Sequence, residues 1–277
     1  MAPVTSWTVP GRPDVIDAAD GATAGRWGMP DALLGLAVWL VLSTALGAVV
    51  LVYGSLAGII DLGAVGDADE LSRQITDELG TELLVATAVA GLVGFVGWGW
   101  LVSRWKGTGS LRRDLGLAFR WTDLGWGVLG GVASLLLTGL IGVAYAVATG
   151  EDAPTNTDDI LGSGGIGAVT AVIMVVCVGL AVPFAEEVFF RGLLLGSIRK
   201  RWGWVAAVLI SSVLFGLLHG LTGAPLAESL FVSGVTALFG LVFGLLRVLL
   251  GRLGPAVVAH MFNNTVAVLV VVATSGS

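Results

Sequence analysis

The chain has 277 residues, of which 56% are hydrophobic and only 12% are charged, and its mean hydropathy is +0.93. Soluble domains are about 45–50% apolar and about 25% charged, so this composition excludes an ordinary soluble protein and predicts an integral membrane protein. The net charge of −6 is spread over separate loops, and we expect a lipid bilayer as partner and no nucleic acid. The single cysteine, Cys177, excludes an intramolecular disulfide and any multi-cysteine metal site.

Residues 1–29 contain three prolines, several glycines and no hydrophobic stretch of the kind found in a cleavable signal peptide. We interpret them as a flexible cytoplasmic tail. The first apolar span, starting near Pro30, then acts as an uncleaved signal-anchor. The rest of the chain divides into amino-terminal transmembrane helices over 30–164 and a carboxyl-terminal membrane region over 165–275.

Apolar windows of about 20 residues are long enough to cross the hydrocarbon of a bilayer as helices. The fourth window is long for a single crossing, so we expect it to tilt, to protrude or to bend near Pro183. The seven windows are about 31–60, 82–103, 124–149, 165–199, 203–220, 226–250 and 255–273.

Charge alternates between the loops that connect these windows. Basic residues concentrate in 103–122, 199–202 and 247–254, whereas 61–80 and 150–164 are acidic and hold a single arginine between them. An excess of Lys and Arg marks cytoplasmic loops. The sequence therefore predicts an all-α, polytopic helix bundle of about seven spans, with a cytoplasmic amino terminus.

Three charged residues lie among Val, Phe and Leu in the fourth window: Glu186, Glu187 and Arg191. Each ionisable group at membrane depth costs roughly 2.5–3.5 kcal/mol on insertion scales, so such groups usually belong to a functional interior. Glu187 and Arg191 are four residues apart on a helix and can pair, while Glu186 projects about 100° away. A paired helix end with both glutamates in water is the simpler alternative.

Both histidines of the chain also lie in apolar windows. His219 is one helical turn after Phe215, and His260 is one turn before Asn264, so each pair shares a helix face. Glu186 and His219 lie about 20–25 Å along their helices from the same basic turn, so they can meet in an antiparallel pair. A buried structural histidine, or a His–Asn pair that only joins helices, is the alternative for each pair alone.

These residues form three ordered motifs, Glu186-Glu187-x-x-x-Arg191, Phe215-x-x-x-His219 and His260-x-x-x-Asn264. In them the chain resembles the CAAX prenyl endopeptidases and bacteriocin-processing proteins (the CPBP, or abortive-infection, family) over about residues 165–270. The resemblance implies an intramembrane endopeptidase that cleaves a membrane-associated peptide or protein.

By the family's pattern, Glu186 would activate water with help from His219, and His260 and Asn264 would donate to the oxyanion. Glu187 and Arg191 would support the site, and Phe215 would pack or contact substrate. The amino-terminal 160 residues carry no such motif. We expect the site to open to the cytoplasmic side of a membrane that, from composition, belongs to a bacterial cell.

Two questions stay open at this level. Glu186, His219 and His260 would also make a two-histidine, one-carboxylate zinc site, although we favour catalysis without a cofactor because Asn264 is a better oxyanion donor than zinc ligand. The alternative functions are a non-catalytic peptide-binding, bacteriocin-immunity or secretion accessory protein, and a proton-coupled transporter.

Overall fold

The computed structural model of the protein describes residues 25–61, 68–155, 166–220 and 224–275. These ranges contain helices and turns but no β-strand, which confirms the all-α prediction. Three π-helical segments, Leu92–Gly97, Val175–Ala181 and Val188–Leu194, continue α-helices without a break in the chain direction. The helices are α1 Met29–Leu56, α2 Ala68–Gly91, α3 Trp98–Lys106, α4 Leu111–Asp114, α5 Thr122–Thr149, α6 Ala168–Met174, α7 Val182–Glu187, α8 Leu195–Gly220, α9 Leu226–Leu250 and α10 Gly254–Thr274.

Within the described ranges, six stretches of helix are long and apolar enough to cross a membrane. One of them, Ala168–Gly220, is 53 residues long and holds both the fourth and the fifth predicted spans. Gly203 divides it, because its φ of +80° is a conformation that interrupts a helix and that side chains with a β-carbon rarely adopt. The remaining five stretches correspond to the other predicted spans.

Glycines let two pairs of helices approach closely around the centre of the bundle. A β-carbon at Gly216 of α8 would lie 2.8 Å from the Ala237 backbone nitrogen of α9. A β-carbon at Gly131 of α5 would lie 3.0 Å from Asn263 Oδ1 of α10. Small residues therefore allow close helix contacts here, as expected for helices that pack in a membrane.

The basic segments meet at one end of the bundle, which we call the basic face. Arg26 donates its backbone N–H to the Lys106 carbonyl oxygen at 2.7 Å. Lys200 Nζ donates to the Trp27 carbonyl oxygen at 3.0 Å. Arg252, in the turn between α9 and α10, pairs with Asp123 in the first turn of α5.

The opposite end, which we call the acidic face, carries exposed Glu151 and Asp152 after α5 and the carboxyl end of α10. Helices α5 and α10 run in the same direction, since Gly127 approaches Val258 and Gly131 approaches Phe262. Both helices start at the basic face and end at the acidic face. The cytoplasmic position of the amino terminus stays a prediction.

Of the tail that we predicted over 1–29, residues 1–24 lie outside the described residues. The last part of that range is packed: Trp27 is 2% exposed, and Lys200 Nζ lies 3.3 Å from the centroid of its ring. This contact joins the start of α1 to the basic turn within α8.

Candidate active site

The helix that carries the two glutamates has an irregular backbone just before them. The Val182 N–H donates to the Cys177 carbonyl oxygen, five residues back. In the same five-residue register, the Val178 carbonyl oxygen would accept from the backbone nitrogen of residue 183, which is Pro183. Proline has no N–H, and the Val178 carbonyl oxygen is left for another donor. Asn264 Nδ2 of α10 donates to this oxygen at 3.1 Å. Such π-helical segments frequently occur at functional sites.

Glu187 and Arg191 form an ion pair in the core of the bundle. Arg191 Nη1 lies 3.0 Å from Glu187 Oε1, and both side chains are fully buried. Arg191 Nη2 also donates to the Gly240 carbonyl oxygen at 3.1 Å, and its guanidinium carbon lies 4.4 Å from the centroid of the Phe215 ring. Pairing, a hydrogen bond and an aromatic face together offset the cost of burying these charges. The alternative of two solvated glutamates does not describe this site.

His260 is held by Glu187 and by two aromatic rings. Its Nδ1 lies 3.0 Å from Glu187 Oε1, and its ring stacks on Phe243 with a centroid distance of 4.9 Å. Phe215 contacts it edge-on at 5.5 Å. Because an ionised carboxylate can only accept, His260 Nδ1 carries the proton of this hydrogen bond. Nε2 then faces Glu186 Oε2 at 3.7 Å.

His219 is oriented in the same way by its own helix. Its Nδ1 lies 2.8 Å from the Phe215 carbonyl oxygen, which can only accept, so this nitrogen is the donor. Its Nε2 lies 3.9 Å from Glu186 Oε2. Two imidazole nitrogens therefore converge on one carboxylate oxygen of Glu186.

These separations are too long for direct hydrogen bonds. Among the described residues, Glu186 Oε2 has no hydrogen-bond partner although it is buried. An unpartnered buried oxygen of this kind is a natural place for a bound water or a substrate group.

A cavity of about 270 Å³ lies against this cluster. Glu186, His219, His260, Asn264 and Phe215 all line it, whereas Glu187 and Arg191 lie behind it in the core. The structure thus brings together the seven residues that the sequence singled out. The rest of the wall is mostly apolar and comes from Leu135, Met174, Val178, Val182, Thr236, Phe239, Phe243, Asn263, Ala267, Val268 and Val271.

Sequence reasoning missed the backbone groups that support the site, namely the carbonyls of Val178 and Gly240. Pro183 was a signal for the first, because a helix must leave a carbonyl free before a proline. Asn263, the neighbour of Asn264 in the chain, donates to Ser134 Oγ of α5 at 2.8 Å. No motif marks Ser134.

The distances between Glu186, His219 and His260 can be compared with those of a zinc site. Ligand atoms around a tetrahedral zinc lie roughly 3.4 Å apart, since each is about 2.0–2.2 Å from the metal. The separations of 3.7 Å and 3.9 Å from Glu186 Oε2 are a few tenths of an ångström wider. Within the described ranges, no group of three or more His, Cys, Asp or Glu side chains is arranged to hold a metal ion.

Residues 168–266, which contain every one of these side chains, match the family described as type II CAAX prenyl endopeptidase Rce1-like. The chain is also 28% identical over 147 residues to a protein of Bacillus subtilis (strain 168) described as "Putative membrane peptidase YdiL". That match covers 52% of this chain and 54% of the relative, so it spans about half the length of each. No solved structure shows significant similarity to the chain.

The family match and the apolar helices agree on the class of protein. It is an integral, multi-pass membrane protein, and its residues 168–266 are similar to the CAAX prenyl endopeptidases.

Proposed function

We propose that this chain, whose residues 168–266 match the type II CAAX prenyl endopeptidase Rce1-like family, is an intramembrane endopeptidase. The observation that carries the proposal is the convergence of His219 Nε2 and His260 Nε2 on Glu186 Oε2, at 3.9 Å and 3.7 Å, in the wall of a cavity inside apolar helices. The substrate is a membrane-associated peptide or protein, and the Bacillus relative favours a bacterial cell membrane.

Hydrolysis of a peptide bond needs an activated water, stabilisation of the oxyanion and a proton for the leaving amine. Water held between Glu186 and His219 gives a proton to the Glu186 carboxylate as its oxygen attacks the carbonyl carbon. The C–N bond then breaks, and the proton passes from Glu186 to the leaving nitrogen. The products are a carboxylic acid and an amine, with no other reactant consumed.

Asn264 is suited to stabilise the oxyanion because its amide nitrogen carries two hydrogens. One is used by the Val178 carbonyl oxygen, which fixes the side chain and leaves the other for the substrate. His260 Nε2 is the second candidate donor, and the contact of Nδ1 with Glu187 Oε1 fixes the orientation of its ring. Glu187 and Arg191 act by positioning His260 rather than by touching substrate.

We propose that this reaction needs no metal, since Asn264 is a poor zinc ligand and a good hydrogen-bond donor. If zinc is bound instead, Glu186, His219 and His260 would be its ligands, and it would supply a Lewis acid for the same hydrolysis.

The test is a map of new protein amino termini in membranes that contain the wild type, Glu186→Gln or His219→Ala. We expect a set of termini with the wild type that both variants lose, because general-base catalysis contributes about 10²–10⁴-fold. Glu228→Gln is the matched control, since Glu228 is an exposed carboxylate in the first turn of α9. Identical maps for all four proteins would overturn the proposal and favour a binding or accessory role.

A further inference from the structure

Among the described residues that line it, the cavity extends from the Glu186 cluster in one direction along the bundle. It follows α10 from His260 to Val271, a run of about 16 Å at 1.5 Å per residue. It follows the helical stretch that carries Glu186 back to Met174, and it follows α9 from Phe243 back to Thr236. All three directions lead away from the basic face and towards the acidic face.

Between the cluster and the basic face, the helices are packed tightly. Leu253, just before α10, is 0% exposed, and Val257, one turn before His260, is 1% exposed. Leu193 and Ile198, which follow Glu186 along the chain, are both 0% exposed. These residues belong to a single hydrophobic core cluster, so the described part of the molecule leaves no room for a peptide to reach Glu186 from that side.

The exposure of the two histidine side chains also increases from the basic face towards the acidic face. The His260 side chain, nearer the basic face, is 5% exposed, whereas that of His219, at the end of α8, is 24% exposed. Phe243 and Phe215 close the inner end and are each 1% exposed. Val271 and Ala267, further along α10, are half-buried. The inner end of the cavity is therefore its closed end.

We infer that water and substrate reach Glu186 from the acidic face, opposite to the side that the sequence suggested. If the protein has the proposed function, its substrate is an extended apolar peptide segment that enters from the membrane half next to the acidic face. The walls support an apolar occupant: Met174, Val178 and Val182 form one side, and Ala267, Val268 and Val271 form another. Under the positive-inside rule the acidic face is extracytoplasmic.

The chain allows a direct test because Cys177 is its only cysteine. In a Cys177→Ala background, Ala267→Cys places a thiol in the cavity wall. Glu151→Cys marks the acidic face, and Arg201→Cys marks the basic face, both at exposed positions. A small, charged, membrane-impermeant methanethiosulfonate is added to sealed right-side-out vesicles and to inside-out vesicles, and modification is read by mass.

We expect Ala267→Cys to be modified in the same vesicles as Glu151→Cys, at least tenfold faster than in the vesicles that modify Arg201→Cys. Modification together with Arg201→Cys, or no modification in either preparation, would overturn the inference. Val257→Cys, in the packed core, is expected to stay unmodified in both. The readout needs no cleavage, so a failed inference leaves the proposed hydrolysis standing, and an inactive protein would still report the side of access.

Discussion

His260 Nδ1 lies 3.0 Å from Glu187 Oε1, and this contact joins the second glutamate of one motif to the histidine of another, 73 residues away. The same carboxylate oxygen lies 3.0 Å from Arg191 Nη1. Glu187 therefore carries one buried charge and orients one imidazole, a function that its neighbour Glu186 cannot share because it faces the cavity. The two adjacent glutamates have different tasks because a helix turns them about 100° apart.

The first prediction concerns the buried ion pair. Glu187→Ala leaves Arg191 charged and unpaired in the core, and we expect a loss of about 3–5 kcal/mol in the free energy of unfolding. Replacing both residues, as Glu187→Gln with Arg191→Met, should recover much of that loss because no lone charge stays buried. Unfolding in mixed micelles by titration with a denaturing detergent measures both effects.

The matched control is Arg73→Ala, which breaks the exposed pair with Glu70 on α2. A surface pair contributes about 0–1 kcal/mol, so this variant should unfold close to the wild type. Equal losses for Glu187→Ala and Arg73→Ala would contradict the assigned role of the buried pair.

The second prediction separates two adjacent asparagines. Asn264→Ala should reduce kcat by about 10²–10³-fold on a reporter peptide taken from the terminus map, as expected for the loss of an oxyanion donor. Asn263→Ala removes only the hydrogen bond to Ser134, so it should cost about 0.5–1.5 kcal/mol of stability and change kcat little. A larger fall in kcat for Asn263→Ala than for Asn264→Ala would show that Asn264 is not the oxyanion donor.

The third prediction concerns the contact between α8 and α9. Gly216→Ala adds a methyl group against the Ser233 carbonyl and Ala237, so we expect a loss of about 1–3 kcal/mol from overpacking. Gly234→Ala, on α9, meets no atom within 4 Å and should leave stability unchanged or raise it by up to about 1 kcal/mol. Comparable stability of the two variants would mean that the helices are further apart than described.

The fourth prediction addresses zinc. Purified, active protein is expected to contain less than one zinc per ten chains and to keep its turnover after dialysis against a strong chelator. Elemental analysis and the reporter assay measure this together. If activity falls and zinc restores it, and if His260→Ala lowers the bound zinc, the metal-independent mechanism is wrong and the three side chains are ligands.

The chain's own pattern was enough to predict an all-α membrane bundle and its spans, because hydrocarbon demands long apolar helices whatever their neighbours are. The same pattern singled out Glu186, His219 and His260, because ionisable groups at membrane depth are costly and therefore few. Spacing along a helix also predicted the Glu187–Arg191 pair, since residues four apart meet within a single element.

Contacts between helices could only come from the tertiary structure, because they depend on how distant segments pack. The bond from Glu187 to His260, the Val178 carbonyl that receives Asn264, and the core that closes the basic face leave no periodic trace in the sequence. The amino acids therefore determined which groups would act, while packing decided which atoms face one another and from which side the cavity is reached.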